Sequence, residues 1–298
     1  MTRELTRRRL LRLAGAGAAA TLGGTVLAGC GGSGGDPLQR LRSGGDITIG
    51  LDGERPFGFT DSSGRATGES PEVARAVVTG LGGGGLVAVQ LPFDRLISGL
   101  RDGQFDMITV GLSITPRRCQ QVGFSRPDFV AATGLLVPSG NPRGLLTLKG
   151  VRNTSTRLGV LEASAEQEYA LAAGIPPTLI TTFDSQSALF RGVADRTVEV
   201  GALTRISLLD EVRRNAATNV EVTRGFYPVV DGRRALGAGA FAFRPEDTEF
   251  RAAFDQGLTA LQSSGRWLEL TAPFGFTADN LPPPGLTTES LCARSPSS

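Results

Sequence analysis

Twice along this chain, short apolar runs alternate with segments whose apolar residues recur every three or four positions. Few folds accommodate that alternation. Apolar runs of four to six residues read as strands buried on both faces, and the intervening amphipathic segments cover them as helices, which makes a mostly parallel sheet. In the first round, 47–50, 86–91 and 105–110 read as strands. Between them, 71–81 carries Val73, Ala76, Val77 and Leu81 at helical spacing, with Pro71 suited to a first helical turn, and 93–100 places Leu96, Ile97 and Leu100 on one helical face. An apolar run at 133–138 follows, and the pattern restarts with strands at 158–161, 179–182 and 198–203 and helices at 165–173, 185–194 and 205–214. The run at 235–243 is strand-like, and 246–265 is a long amphipathic helix.

Two α/β runs and two apolar crossings predict two lobes joined by two hinge strands, with the last helix returning to the first lobe. Lobe 1 is expected at 45–132 and 238–276, lobe 2 at 139–234, and the Pro-, Ser- and Thr-rich tail 277–298 is expected to be disordered. The length of 298 residues, 40% hydrophobic, suffices for two cores. Ligands of open α/β sheets sit beyond the carboxyl ends of strands, so a cleft between lobes sets two such ends face to face.

Composition narrows the chemistry. The chain has no histidine, which removes His-based acid–base catalysis and His metal ligation. Its three cysteines, at 30, 119 and 292, form no CxxC, so neither a zinc nor a thioredoxin-like site is supported. No cofactor and no metal are expected. Cys119 and Cys292 can pair in an oxidising compartment, but one buried thiol and one tail thiol is the favoured reading, because distance cannot be read from sequence.

Residues 1–30 read as an export segment. Thr6-Arg7-Arg8-Arg9-Leu10-Leu11-Arg12 looks like a twin-arginine signal, and the weakly apolar stretch after it is too short and poor in large side chains for a stable membrane span. It ends in Leu27-Ala28-Gly29-Cys30, which resembles a lipobox, so Cys30 is expected to carry a lipid anchoring the protein to the outer face of the cytoplasmic membrane. Residues 31–44 then read as a flexible tether. The leader holds five arginines and one glutamate; without it, 26 cations face 28 acids and the formal charge changes from +2 to −2. No nucleic-acid surface is indicated.

The segment 105–125 carries the chemistry. A short strand runs into a polar turn that presents Ser113, Thr115 and the pair Arg117–Arg118, with Pro116 ending the strand. A guanidinium beside small hydroxyls suits a carboxylate, because its planar fork binds both oxygens. This points to capture of a small anion or zwitterion.

Gly68-Glu-Ser-Pro-Glu-Val-Ala-Arg-Ala-Val77, Phe105-Asp-Met-Ile, Gly111-Leu-Ser-Ile-Thr-Pro-Arg-Arg118, Val122-Gly-Phe-Ser125 and Ser263-Ser-Gly-Arg266, within about residues 45–276, together resemble the family 3 extracellular solute-binding proteins of ABC importers. Within the family, GESPEVARAV, the cysteine of TPRRC, NPRGL at 141–145, AFAFRPED at 240–247 and PFGFT at 273–277 are similar to the ectoine/hydroxyectoine-binding branch. The resemblance implies a two-lobed, type II periplasmic-binding-protein-like fold. It further implies a monomeric, non-enzymatic receptor that hands a small zwitterionic compatible solute to an ABC permease.

It also implies site residues. Arg118 falls at the family's carboxylate-binding arginine, leaving Arg117 on the surface. Ser113 falls where relatives offer a hydroxyl, and Gly111 where they offer a carbonyl, though Gly111 reads equally as a plain turn glycine. Ser164 and Ala165 open a helix whose N–H groups favour anions, and Ser164 reads equally as a simple N-cap. Thr204 stands where polar amino-acid binders place an aspartate for the ligand ammonium; its lack of charge shifts the expected ligand toward a delocalised cation held by aromatic faces. Phe57 and Phe93 are the expected aromatics and Glu54 a candidate acceptor. Ser113 replaces a third aromatic of the ectoine branch, a gap that Tyr169, Phe129 or Phe183 would have to fill. The rivals are a polar amino-acid or opine receptor, and an enzyme of the cyclohexadienyl dehydratase kind, for which only Glu54, Glu162 or Glu166 is available as acid or base.

Overall fold

The computed structural model describes residues 35–215 and 219–293. The expected export segment, Cys30 and the first residues of the expected tether lie outside the described residues. No helix among the described residues is long and apolar enough to cross a membrane.

Two sheets carry the fold. The first runs in the order Leu86–Gln90, Ile47–Leu51, Met107–Ser113, Ala238–Phe243, Gly123–Phe124, with Phe129–Val130 also on Ala238–Phe243. Its first three strands are parallel, and Ala238–Phe243 returns antiparallel. The second runs Ile180–Phe183, Leu158–Leu161, Val200–Thr204, Thr133–Pro138, Val220–Val222, again with three parallel strands and an antiparallel return. Each round of the sequence alternation has become one sheet, covered by its own helices. The chain crosses between them twice, side by side: Ala131 N–H donates to Gly237 O (3.1 Å), and Thr133 and Phe226 exchange backbone bonds of 3.0 and 2.9 Å.

Strand Thr133–Pro138 shows why the central runs are apolar throughout. Leu135 and Val137 pack on one face of the second sheet with Leu158, Val160 and Tyr169, while Leu136 packs on the other with Leu189, Phe190 and Leu203. In the first lobe, helix Thr248–Ser264 buries Phe250, Phe254 and Leu258, and helix Arg266–Thr271 buries Trp267, so the end of the chain completes the core its beginning started.

Three expectations are corrected. The tether does not extend to 44: Asp36 caps a helix, Pro37–Arg42, whose Leu38 and Leu41 are buried against the first core. Two leucines three apart behind an Asp–Pro start are a helix signal that glycine content masked. The tail is not disordered as far as 293. Asn280 Nδ2 donates to Val130 O (3.0 Å), Thr288 Oγ1 donates to Ser125 O (2.7 Å), and helix Thr288–Cys292 ends in a disulfide to Cys119. The two thiols expected to stand apart are therefore one bridge, with Cα atoms 5.7 Å apart across a sequence separation of 173.

Candidate functional site

The first strand-to-turn segment reaches further than its apolar run implied: the strand is Met107–Ser113. Opposite it, Ala240 pairs with Leu112 but Ala242 pairs with Ile108, so Thr109, Val110 and Gly111 together face the single residue Phe241. Such a bulge bends the strand end and re-aims its residues. Thr115 then caps the short helix Pro116–Cys119 through a bond from Arg118 N–H (3.4 Å).

This turn folds Arg118 back over the strand end. Its Nη1 donates to Ser113 O (2.8 Å), and its Nη2 crosses the cleft to Ala163 O (2.9 Å). The side chain is almost sealed, with 4% of the residue exposed, and burial pulls its pKa below the usual arginine value. Two of its five N–H donors are thus engaged by the protein. Its guanidinium carbon lies 5.4 Å from the centroid of Phe93, within cation–π range, so the ring expected to face a ligand's cation here faces Arg118 itself. Arg117 is exposed and lies 3.6 Å from Glu168.

Gly111 has φ +62°, and a Cβ there would lie 2.7 Å from Phe129 Cζ and 2.9 Å from Phe57 Cδ1. Of its two readings the conformational one carries weight: only glycine lets the strand lie against this pair of rings. Phe57 stacks on Phe129 (5.2 Å between centroids), and Phe276 sets its edge against both. Behind the rings, Trp267 Nε1 donates to Asp128 (2.7 Å), and Asp128 meets Glu69. Burial and the adjacent Asp128 push Glu69 well above the usual carboxyl range, and burial raises Asp128 to about 6. Glu69 and Ser70 N–H groups in turn hold the Pro56 and Phe57 carbonyls (2.9 and 3.0 Å), which fixes the loop presenting Glu54 and Phe57. Gly68, with φ +119°, is required there because a Cβ would meet Phe57 O at 2.5 Å.

The second lobe contributes the starts of two helices. Ser164 Oγ accepts from Gln167 N–H (3.2 Å) at the head of helix Ala165–Ala172, so it is the N-cap, while Ala165 supplies backbone. Ala163, with φ +57°, aims its carbonyl at Arg118 and is steadied by its N–H bond to Gln167 Oε1 (2.8 Å). Thr204 ends strand Val200–Thr204 ahead of helix Arg205–Arg214.

Sequence reasoning gave Glu166 no binding role. It is 5% exposed, accepts from Thr133 Oγ1 (3.2 Å), and lies against the Thr204 hydroxyl. Burial raises its pKa, and the bonds from Thr133 and Thr204 together with nearby Arg118 hold it partly down. The position expected to lack an acid therefore has a carboxyl group beside it, delivered from the neighbouring helix. Nothing in the sequence marks this, because an acid in a first helical turn ordinarily serves the helix dipole.

All nine expected residues line one cavity: Glu54, Phe57, Phe93, Gly111, Ser113 and Arg118 from the first lobe, Ser164, Ala165 and Thr204 from the second. Glu166 completes it, and none of Tyr169, Phe129 or Phe183 reaches it. The cleft is shut to about 30 Å³, room for one or two waters. Besides Arg118, the closing bonds come from Ser207 Oγ, whose single hydroxyl proton is within reach of both the Glu54 carboxylate and Arg55 O (2.9 Å), and from Gln186, which donates to Arg55 O (2.8 Å) and accepts from Arg55 N–H (3.2 Å). Burial and the charge of Asp52 push Glu54 well above the usual carboxyl range, and burial lifts Asp52 to about 7. A larger cavity of about 520 Å³, beside Arg117 and hairpin residues Arg233 and Arg234, is lined by cations that are exposed to solvent. Among the described residues, no group of His, Cys, Asp and Glu gathers as a metal ion would require.

Comparison with known proteins agrees with this geometry. The pattern of the bacterial extracellular solute-binding proteins, family 3, matches residues 47–277. The structure of EhuB in complex with hydroxyectoine superposes with a TM-score of 0.77 at 30% identity, covering 87% of this chain and 99% of that one. A probable amino-acid ABC transporter periplasmic-binding protein of Sinorhizobium fredii, y4tE, is 28% identical over 261 residues, 86% of each chain. The ancestral amino acid-binding protein AncCDT-1, a precursor of cyclohexadienyl dehydratase, shares the fold at 23% identity and a TM-score of 0.67, covering 80% of this chain and 98% of that one.

Proposed function

Because the chain belongs to the bacterial extracellular solute-binding proteins of family 3, we propose that its cleft captures a small zwitterionic compatible solute, ectoine or hydroxyectoine, and delivers it to an ABC permease. Family membership gives the coarser statement outright: this is the solute-binding component of an ABC importer of the amino-acid-binding kind. The observation that carries the finer reading is Arg118. A buried guanidinium, held on two edges by the carbonyls of opposite lobes, keeps donors free in a cleft dry enough to make a charge-assisted bond to a carboxylate strong. Glu54, Phe57 and Phe93 surround the remaining space, and the likeness to the hydroxyectoine-bound EhuB favours a cyclic amidinium there.

The solute closes the lobes to the extent that it binds the closed form more tightly than the open one. No bond is made or broken, and Glu54 and Glu166 bind rather than exchange protons with a substrate. The receptor acts as an exported monomer tethered through a lipid on Cys30, which membrane fractionation and the mass of the mature chain check. A polar amino-acid receptor is the second reading, favoured by the Glu166 carboxylate beside Thr204. Calorimetry against ectoine, hydroxyectoine, glycine betaine, arginine, glutamine and histidine decides between them. Ectoines should bind tightly. Tight binding of an α-amino acid with silence toward ectoines overturns the substrate assignment, and turnover of prephenate or arogenate overturns the receptor assignment.

A further inference from the structure

We propose that Glu166 is the second half of the site's cation subsite, bracketing the positive end of the solute from the second lobe as Glu54 does from the first. The inference rests on the reading that this cleft holds a solute with a carboxylate and a cation.

Charge inside the cavity makes the case. Of the residues that line it, Arg118 is the one cation, and Glu54 and Glu166 are the two carboxylates. Both carboxylates belong to one electrostatic neighbourhood: Glu166 acts on Glu54 and on Arg118, the charged groups facing it from the first lobe, and on Tyr169 of its own helix. A solute carboxylate bound by Arg118 neutralises that arginine and leaves two buried acids. Buried charge without a partner is strongly unfavourable. Burial pushes both toward their neutral forms, and the solute's cation is what makes their charged forms favourable.

Geometry separates the two acids usefully. Glu54 approaches from the loop after strand Ile47–Leu51, beside Ser207. Glu166 approaches from helix Ala165–Ala172 and is fixed by Thr133 and Thr204. A positive group with N–H donors on two sides, such as an amidinium, a guanidinium or a primary ammonium, can donate to both. A quaternary ammonium has no N–H and satisfies neither as a hydrogen bond. The subsite thus selects zwitterions or net cations with N–H-bearing positive groups. Its two-lobe construction also makes closure depend on the cation as well as on the carboxylate.

Glu166→Gln tests this, because the amide keeps the size of the side chain and an acceptor for Thr133 and Thr204. Wild type, Glu166→Gln and Glu166→Asp are titrated by calorimetry with hydroxyectoine, arginine and glycine betaine from about pH 5 to about pH 8. In the empty protein burial favours the protonated acids and the solute cation favours the charged ones, so wild-type affinity should rise with pH. Glu166→Gln should bind the N–H-bearing solute at least about tenfold more weakly at the alkaline end, and its affinity should rise less steeply with pH. Glu166→Asp, which keeps the charge, should recover the steeper pH dependence at reduced affinity. Glycine betaine binding should not weaken in Glu166→Gln. A variant matching wild type, or one that binds weakly with an unaltered pH dependence, overturns this inference and leaves the receptor reading standing. A wild type silent toward all three solutes overturns the solute reading and this one with it.

Discussion

On the first-lobe side of the cleft, Phe57 and Gly111 rest on a packed wall of Phe129, Phe276 and Trp267; on the second-lobe side stand the starts of two helices and a carboxylate. The wall is dense enough that one methyl group at Gly111 meets two rings. Ser164 caps the start of helix Ala165–Ala172, and Gln186 and Ser207 reach over to the Arg55 peptide. The contrast separates two duties. Packing presets the shape of the first face, which is ready before any solute arrives. The second face contributes polar groups that bond across the cleft to the first, and any opening of the lobes has to break those bonds.

Arg118→Ala tests the preset face most severely. Removing the buried guanidinium leaves two carbonyls and any solute carboxylate without their donor, and binding should fall by more than about a hundredfold while the empty protein still unfolds cooperatively, at a lowered melting temperature. Affinity within a few-fold of wild type would show that the first face does not anchor the solute. Gly111→Ala comes next: the strained backbone and the ring overlap together should cost about 2–3 kcal/mol, read as a lowered denaturation midpoint with an unchanged slope. A neutral outcome would mean that the aromatic wall yields. Smallest is Gln186→Ala, which removes two bonds across the cleft to the Arg55 peptide together with bonds to Ser207 in its own lobe. Affinity should drop about three- to tenfold through a smaller closed population, seen as a larger radius in solution scattering. Loss of binding on the scale of Arg118→Ala would erase the division between the faces.

The first face was the more legible of the two. The Thr-Pro-Arg-Arg run is local, and a strand end, an N-cap and a proline suffice to place Arg118. Gly111 stayed ambiguous because its reason lies in Phe57 and Phe129, 54 and 18 positions away in the numbering. Phe93 was expected to face a solute cation, but only the folded turn shows that Arg118 lies within reach of the ring. On the second face, Ser164 was readable as a cap, whereas Glu166 was read past because its partners Thr133 and Thr204 come from other strands.

The two α/β rounds, the two crossings and the arginine at the strand end are written along the chain, because periodicity, caps and turn residues act over a few neighbouring positions. Tertiary structure alone decided that Cys119 meets Cys292, that the tail docks on the first lobe, and that a carboxylate reaches the uncharged Thr204. Each of these depends on where the chain returns after many residues, and no local preference carries that information.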